Sequence, residues 1–551
     1  MNRAIKTSLV AVIVVSIIVG FARPENDRYF QIVKNLDIFA TMFKEVNAYY
    51  VDEINPNTLM KQGIDAMLSN LDPYTTYIGE DEIEDYLTVT TGEYGGIGAL
   101  VDRKGGISTI VLPYEGFAAD RAGLKIGDQI TKINGIEIKD KSSEEISKLL
   151  KGQSNSKITL TIERYGQDAS FDVDLKREKI TIDNVPFYGK VADDIGYIRL
   201  TDFTTKAGAE VGAALRKLKT DGVTKVILDL RGNPGGLLEE AVNVSNVFVP
   251  KGKEIVSTRG KLDAWTKSYS ALNAPVDVDI PLAVLTDNGS ASASEIVAGV
   301  VQDYDRGIII GRKTYGKGLV QQTRPLSYNS QLKVTTAKYY IPSGRCIQAI
   351  DYAHRNDDGS VGKIPDSLKV EFKTFNGRTV YDGGGLDPDE EVERTRYAPI
   401  THSLIRKDLL FNYATIYVHN RTEEVTDART FRLTDTEYDT FVEWLRDKDY
   451  DYTTQVERSI KQLVDIAKEE KYYPDIKEQI ENLRVATLHN KESDLLTFKT
   501  EIKALLEQEV ASRYFLQKGV IQSTFEKDPD ILAAVKLLND EDRYEALLGP
   551  Q

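Results

Sequence analysis

Residues 280–295 read Ile280-Pro281-Leu282-Ala283-Val284-Leu285-Thr286-Asp287-Asn288-Gly289-Ser290-Ala291-Ser292-Ala293-Ser294-Glu295. An apolar run ends at Leu285, a small polar and glycine-bearing turn follows, and a helical pattern begins near Ser292, so the stretch reads as strand, tight turn, helix. Ile308–Ile310 supplies another apolar strand after that helix. Upstream, Ile195–Leu200 and Val226–Leu230 are apolar runs separated by a helix-like stretch around Lys206–Lys219. Strands alternating with helices predict βαβ units and a largely parallel sheet across residues 180–390, with Lys333–Tyr340 as a further strand.

A serine between an apolar strand and a helix sits where backbone N–H groups and the helix dipole favour developing negative charge. Ser292 is therefore the candidate nucleophile, and the N–H of Ala293 a candidate oxyanion donor. A serine hydroxyl needs a neighbouring group to take its proton. Lys317, in Tyr315-Gly316-Lys317-Gly318, lies 25 residues further on and can do so if burial lowers its pKa. Gln321 lies four residues after Lys317 and would share its face on a helical turn, orienting the amine without adding charge. The strand Val226–Leu230 leads into Arg231-Gly232-Asn233-Pro234-Gly235-Gly236, where adjacent glycines permit close backbone approach. A second oxyanion donor is expected there, Gly236 first and Gly235 second. The four histidines, His354, His402, His419 and His489, lie outside these motifs and lack metal-ligand spacing, so neither a histidine triad nor a metal is expected. Ser154 and Lys157 also match S-x-x-K but fall in a polar turn.

Residues 86–178 differ in character. Glycines cluster at the start, Asn134-Gly135 signals a hairpin, and Ser142 with Glu145 forms a capping box before Ile146, Leu149 and Leu150. Ile158, Leu160 and Ile162 alternate as a strand. This compact β-rich module resembles a PDZ domain. In that resemblance Tyr94, Gly95, Gly96, Ile97 and Gly98 form a carboxylate-binding loop, a peptide adds as a strand along Ile97–Val101, and the helix after Ser142 forms the other groove wall.

Together the motifs resemble the C-terminal processing peptidases, serine peptidase family S41. The resemblance covers roughly residues 28–390 and rests on Leu71-Asp72-Pro73-Tyr74, the inserted module, the Leu230–Gly236 loop, Gly289–Glu295 and Gly311–Gly318. It continues through Tyr340–Arg345 and Leu386-Asp387-Pro388-Asp389. It implies an α/β fold with a crotonase-like (ClpP/crotonase-type) protease core, an inserted β-rich PDZ domain, an N-terminal helical segment and a C-terminal helical domain. The implied activity is a serine endopeptidase with a Ser292–Lys317 dyad supported by Gln321, with no cofactor. The implied substrates are exported proteins with free, apolar C-termini captured by the PDZ groove. A PDZ scaffold that binds tails without cleaving them is the alternative.

The expected organisation is 1–22 signal peptide or membrane anchor, 23–85 helical segment, 86–178 PDZ domain, 179–395 protease core and 396–551 helical domain. The last is highly charged, with amphipathic stretches at Val456–Lys468 and Leu495–Leu516. Arg3 and Lys6 precede an uncharged run of 16 residues, Thr7–Ala22, the pattern of an export signal and shorter than a spanning helix prefers. It points to a periplasmic or cell-envelope location. Anchoring through residues 7–22 and homo-oligomerisation are both compatible with the sequence. The chain has 551 residues and a formal net charge of −15, which argues against nucleic acid as a partner. Its single cysteine, Cys346, excludes an intrachain disulfide.

Overall fold

The computed structural model describes residues 24–356, 358–487 and 491–550; the expected export segment at 1–22 and His489 lie outside them. The chain divides into two compact units, Met1–Tyr77 and Ile78–Gln551. In the first, helix Pro24–Tyr49 is followed by helix Pro56–Ser69, whose start is fixed by Pro56 and by the Asn55 side chain accepting from the N–H groups of Asn57 and Thr58. Asp72 then accepts from the N–H groups of Tyr74 and Thr75, a local turn that closes the segment.

The second unit is built on a six-stranded sheet. Its strands run in the order Phe187–Lys190, Ile195–Arg199, Lys225–Asp229, Leu282–Thr286, Ile308–Gly311 and Glu390–Glu391, the first pairing antiparallel and the others parallel. The parallel core predicted from 180–390 is therefore present. Its continuous apolar runs divide by residue parity between two faces. Ile198, Val226, Leu228, Leu282, Val284 and Ile309 join helices Ala207–Thr220, Leu238–Phe248 and Ala293–Asp303 in one buried cluster. Ile195, Tyr197, Ile227, Ala283, Leu285, Ile308 and Ile310 join Phe525, Ile531, Ala534, Leu537, Leu538 and Tyr544 in another. The second face is thus covered by helices Pro529–Leu538 and Glu541–Leu548 from the end of the chain. The helical region expected as a separate module after 396 is continuous with the core through these two helices. An open sheet must cover both faces, and residues 180–390 supply helices for one only. The rest of the helical region has its own core, including Leu404, Tyr413, Phe441 and Leu506.

An antiparallel sheet formed by strands Glu254–Gly260, Lys267–Ser270, Leu319–Pro325 and Gln331–Tyr340 lies in the same unit. The PDZ-like module is a six-stranded antiparallel sheet with the long-range order Ala99–Lys104, Ile107–Pro113, Gln129–Ile133, Lys157–Glu163 and Phe171–Lys176. Ile110, Ile130, Ile133, Ile146, Ile158 and Ile162 fill its interior. Asn134 and Gly135 both adopt positive φ, 50° and 78°, as the hairpin predicted there requires. Ser142 and Glu145 exchange both capping-box hydrogen bonds at the start of helix Ser143–Leu150. The module touches the helical region where Asp408 pairs with Lys104 at 3.1 Å and accepts from the N–H of Gly105.

Candidate active site

Three loops meet at the ends of the parallel strands, the placement expected for a site on an open α/β sheet. Each strand hands its loop on: Lys225–Asp229 to residues 230–236, Leu282–Thr286 to 287–292, and Ile308–Gly311 to 312–318. Asp287 accepts from the N–H groups of Gly232 and Gly289, joining the first two loops. Ser290 donates its hydroxyl to Leu230 O, and its carbonyl accepts the N–H of Tyr315 from the third loop. The Asn233 carbonyl accepts from the N–H of Ala291 and the hydroxyl of Ser294.

Ser292 sits at the turn into helix Ala293–Asp303 with φ 56° and ψ −112°. A β-carbon residue in that region costs roughly 1–3 kcal/mol and persists because its surroundings fix it. Gly235, φ 96°, presses against this turn. A β-carbon on it would lie 2.6 Å from Ala291 O and 2.8 Å from both Ala293 N and Ser292 Cβ. The Gly235 N–H donates to Asn233 Oδ1 at 2.9 Å, whereas among the described residues no protein acceptor engages the N–H of Gly236 or Ala293.

Ser292 and Lys317, both half-buried, are joined through their backbones by Glu295. This side chain is fully buried, and its Oε2 accepts from the N–H of Ser292 and the N–H of Lys317, each at 2.9 Å. Its Oε1 accepts from the Gly316 N–H at 2.7 Å and the Thr314 hydroxyl. Burial pushes the Glu295 carboxyl up to about 7, although these four donors pull the other way. On the opposite side, the Tyr339 hydroxyl contacts the carbonyls of both Ser292 and Lys317. The backbones of the two residues are thus held together from their N–H and their C=O sides. Neither Glu295 nor Tyr339 was among the residues expected from sequence. The signal for Glu295 was its place three residues after Ser292, just before the apolar run Ile296–Val301; Tyr339 carried none, because its role depends on strand Gln331–Tyr340 meeting two loops distant in sequence.

The helical relation expected between Lys317 and Gln321 requires a correction. No helical turn joins Gln321 to Lys317: Gln321 lies in strand Leu319–Pro325, with a register shift between Val320 and Gln321, and its side-chain amide donates to Thr335 Oγ1 at 3.2 Å. Lys317 lies in the loop before that strand. The spacing of four carries no helical meaning there, because Leu319–Pro325 pairs along its length with Gln331–Tyr340.

In the PDZ-like module, Tyr94, Gly96 and Ile97 line a groove of about 180 Å³ together with Leu100, Ile146 and Leu150. Its Ala99–Lys104 strand is at the edge of the sheet order, beside helix Ser143–Leu150. Gly95 and Gly98 are not among the groove's lining residues. A β-carbon on Gly95 would meet Gly152 O at 2.1 Å, and one on Gly98 would meet Phe117 Cβ at 2.3 Å. Residues Glu93–Gly96 are not a free loop but a strand paired with Glu178–Thr181.

These features define a class, a PDZ-bearing peptidase with an α/β core. Peptidase family S41 matches residues 194–354, the PDZ domain residues 109–164, and the "Probable PDZ-protease, C-terminal helical domain" residues 400–538. A carboxy-terminal-processing protease of Bartonella bacilliformis is 40% identical over 321 residues, 58% of this chain and 73% of its own. A "Probable CtpA-like serine protease" of Staphylococcus aureus is 38% identical over 316 residues, 57% of this chain and 62% of its own. Among solved structures, the photosystem II D1 C-terminal processing protease aligns with 27% identity, covering 64% of this chain and 92% of its own, at a TM-score of 0.35. The chain belongs to the carboxy-terminal-processing proteases of peptidase family S41.

Proposed function

We propose that this peptidase cleaves near the C-terminus of exported proteins with a Ser292–Lys317 dyad. The observation that carries the reading is the shared tether: one Glu295 oxygen accepts from the backbone N–H of both residues. Lys317, neutral, takes the proton of Ser292 as Oγ attacks the scissile carbonyl. The oxyanion forms against the N–H groups of Ala293 and Gly236; Gly236 is preferred because the Gly235 N–H already donates to Asn233. Lys317 then passes the proton to the leaving amine. Water, deprotonated by the same amine, hydrolyses the acyl ester and restores Ser292. Gln321, held by Thr335, supports the base side of the site.

A substrate tail adds along the edge strand Ala99–Lys104, with an apolar terminal side chain against Ile146 and Leu150. The domain division follows the same reading: helices to 85, a PDZ insertion over 86–178, a protease core over 179–395 and a helical region after it. Residues 1–22 act as the export signal, placing the enzyme in the cell envelope. No helix of the described residues is long and apolar enough to cross a membrane.

The test is cleavage of a peptide with a free apolar C-terminus by wild type, Ser292→Ala and Lys317→Ala, with circular dichroism as the fold control. Both variants should lose at least about 10³-fold in kcat/KM while remaining folded. Activity retained in either removes that residue from the dyad, and binding without cleavage by the wild type leaves the non-catalytic tail binder.

A further inference from the structure

The site loops are also gripped from behind by the end of the chain. Arg231 and Arg312 each stand five residues before a residue the proposed chemistry needs, Gly236 and Lys317. Both arginines turn toward Asp530, only 2% exposed, in the first turn of helix Pro529–Leu538. Arg312 meets it as a fork, Nη1 to Oδ1 at 3.0 Å and Nη2 to Oδ2 at 2.9 Å. Arg231 Nη1 donates to the same Oδ2 at 2.7 Å and to both oxygens of Asp528 at 2.9 and 2.8 Å. Asp528 caps the helix by accepting from the N–H groups of Asp530 and Ile531. On its other side Arg231 holds Asp229, the fully buried last residue of its strand. Arg231 and Arg199 keep that carboxylate well below its usual range, overcoming the larger opposing effect of burial.

We propose that Asp530, seated by Asp528, is a positioning residue for peptide hydrolysis. By pairing with Arg231 and Arg312 at once, it fixes the loop carrying Gly236 relative to the loop carrying Lys317. The proposal rests on the Ser292–Lys317 reading above. Coverage of the sheet does not need these charges, because Ile531, Ala534, Leu537 and Leu538 already supply the apolar contact. A buried ion pair also adds little net stability over a well-packed apolar pair. What a forked arginine–carboxylate contact adds is direction. The loop that carries Arg231 is tied to the nucleophile loop through Asp287 and Ser290; the two arginines on Asp530 add a direct tie to the loop that carries Lys317.

The experiment measures kcat and KM of the full chain on a peptide with a free apolar C-terminus. It compares wild type, Asp530→Asn and Leu537→Ala at a temperature where all are folded by circular dichroism. Asp530→Asn should lower kcat about tenfold or more with KM within about threefold, the pattern of a misplaced group rather than of lost substrate binding. Leu537→Ala weakens the same helix without touching a charge and should keep kcat within about twofold while lowering Tm. A kcat for Asp530→Asn within twofold of wild type overturns the proposal. So does a loss in Leu537→Ala equal to that in Asp530→Asn, which would make helix docking alone responsible. If Asp530→Asn does not fold, Arg312→Lys, which keeps the charge but cannot fork, takes its place under the same limits. A wild type that cleaves no such peptide, or a Ser292→Ala variant that still does, overturns the underlying reading itself.

Discussion

The two faces of the core sheet are covered in different ways. One is covered by helices Ala207–Thr220, Leu238–Phe248 and Ala293–Asp303, each a chain neighbour of the strands it packs on, and the last begins at Ser292. The other is covered by Pro529–Leu538 and Glu541–Leu548, which return after the whole intervening helical region. The near face carries the site residues; the far face closes the core and sends Asp528 and Asp530 into the loops above. Local connection builds the nucleophile turn, and a distant return completes the structure around it.

The largest effect expected from this difference is on folding. A chain ending at residue 395 would expose Tyr197, Ile227, Leu285 and Ile310 on the far face. It should be recovered as aggregate, and soluble, cooperative unfolding of that fragment would show that the near face suffices. Next comes the near face itself. Gly235→Ala would drive a methyl into the Ser292–Ala293 backbone, where atoms already stand 2.6–2.8 Å from its β-carbon position. At least about 100-fold of kcat/KM should be lost, since displacement of a reacting group by ~1 Å costs on that order. Glu295→Gln should cost a comparable part of kcat, because an amide oxygen and an NH2 cannot accept from four donors. Unchanged kcat in Glu295→Gln would mean the shared tether is dispensable.

Tyr339→Phe should have a smaller effect, a fall in kcat of about tenfold or less, as one hydroxyl contact to two carbonyls is lost while the ring still packs. The smallest effect is one of pH. Burial raises the folded Glu295 carboxyl from its ordinary value to about 7. Between those values the folded state holds a proton that the unfolded chain has released, so stability falls as pH rises through that window. Denaturant unfolding of wild type and Glu295→Gln at pH 5 and pH 8 checks the sign. The advantage of wild type over the variant should shrink on going to pH 8, and a growing advantage would mean the four donors outweigh burial.

Much of the near face was legible in sequence. Apolar runs of strand length alternating with helical stretches give a parallel sheet, and Ser292 between Leu285 and an apolar helix marks the turn. The capping box at Ser142 and the Asn134-Gly135 turn were readable because each is satisfied within a few residues. The spacing of four between Lys317 and Gln321 suggests a helical turn, but that segment pairs as a strand, so the shared helical face does not exist. Glu295, Tyr339 and Asp530 were not chosen from sequence because their partners lie in other loops or hundreds of residues away.

By itself the sequence determined the elements, the order of modules and the residue types offered for chemistry. Periodicity, caps and turns are local, and free energy differences over a few residues settle them. Only the tertiary structure decided which N–H groups near Ser292 have no protein acceptor among the described residues, which carboxylate ties Ser292 to Lys317, and that helices Pro529–Leu538 and Glu541–Leu548 close the far face of the sheet. Those outcomes depend on burial and on hydrogen-bond geometry between distant segments, and both exist only after the chain has packed.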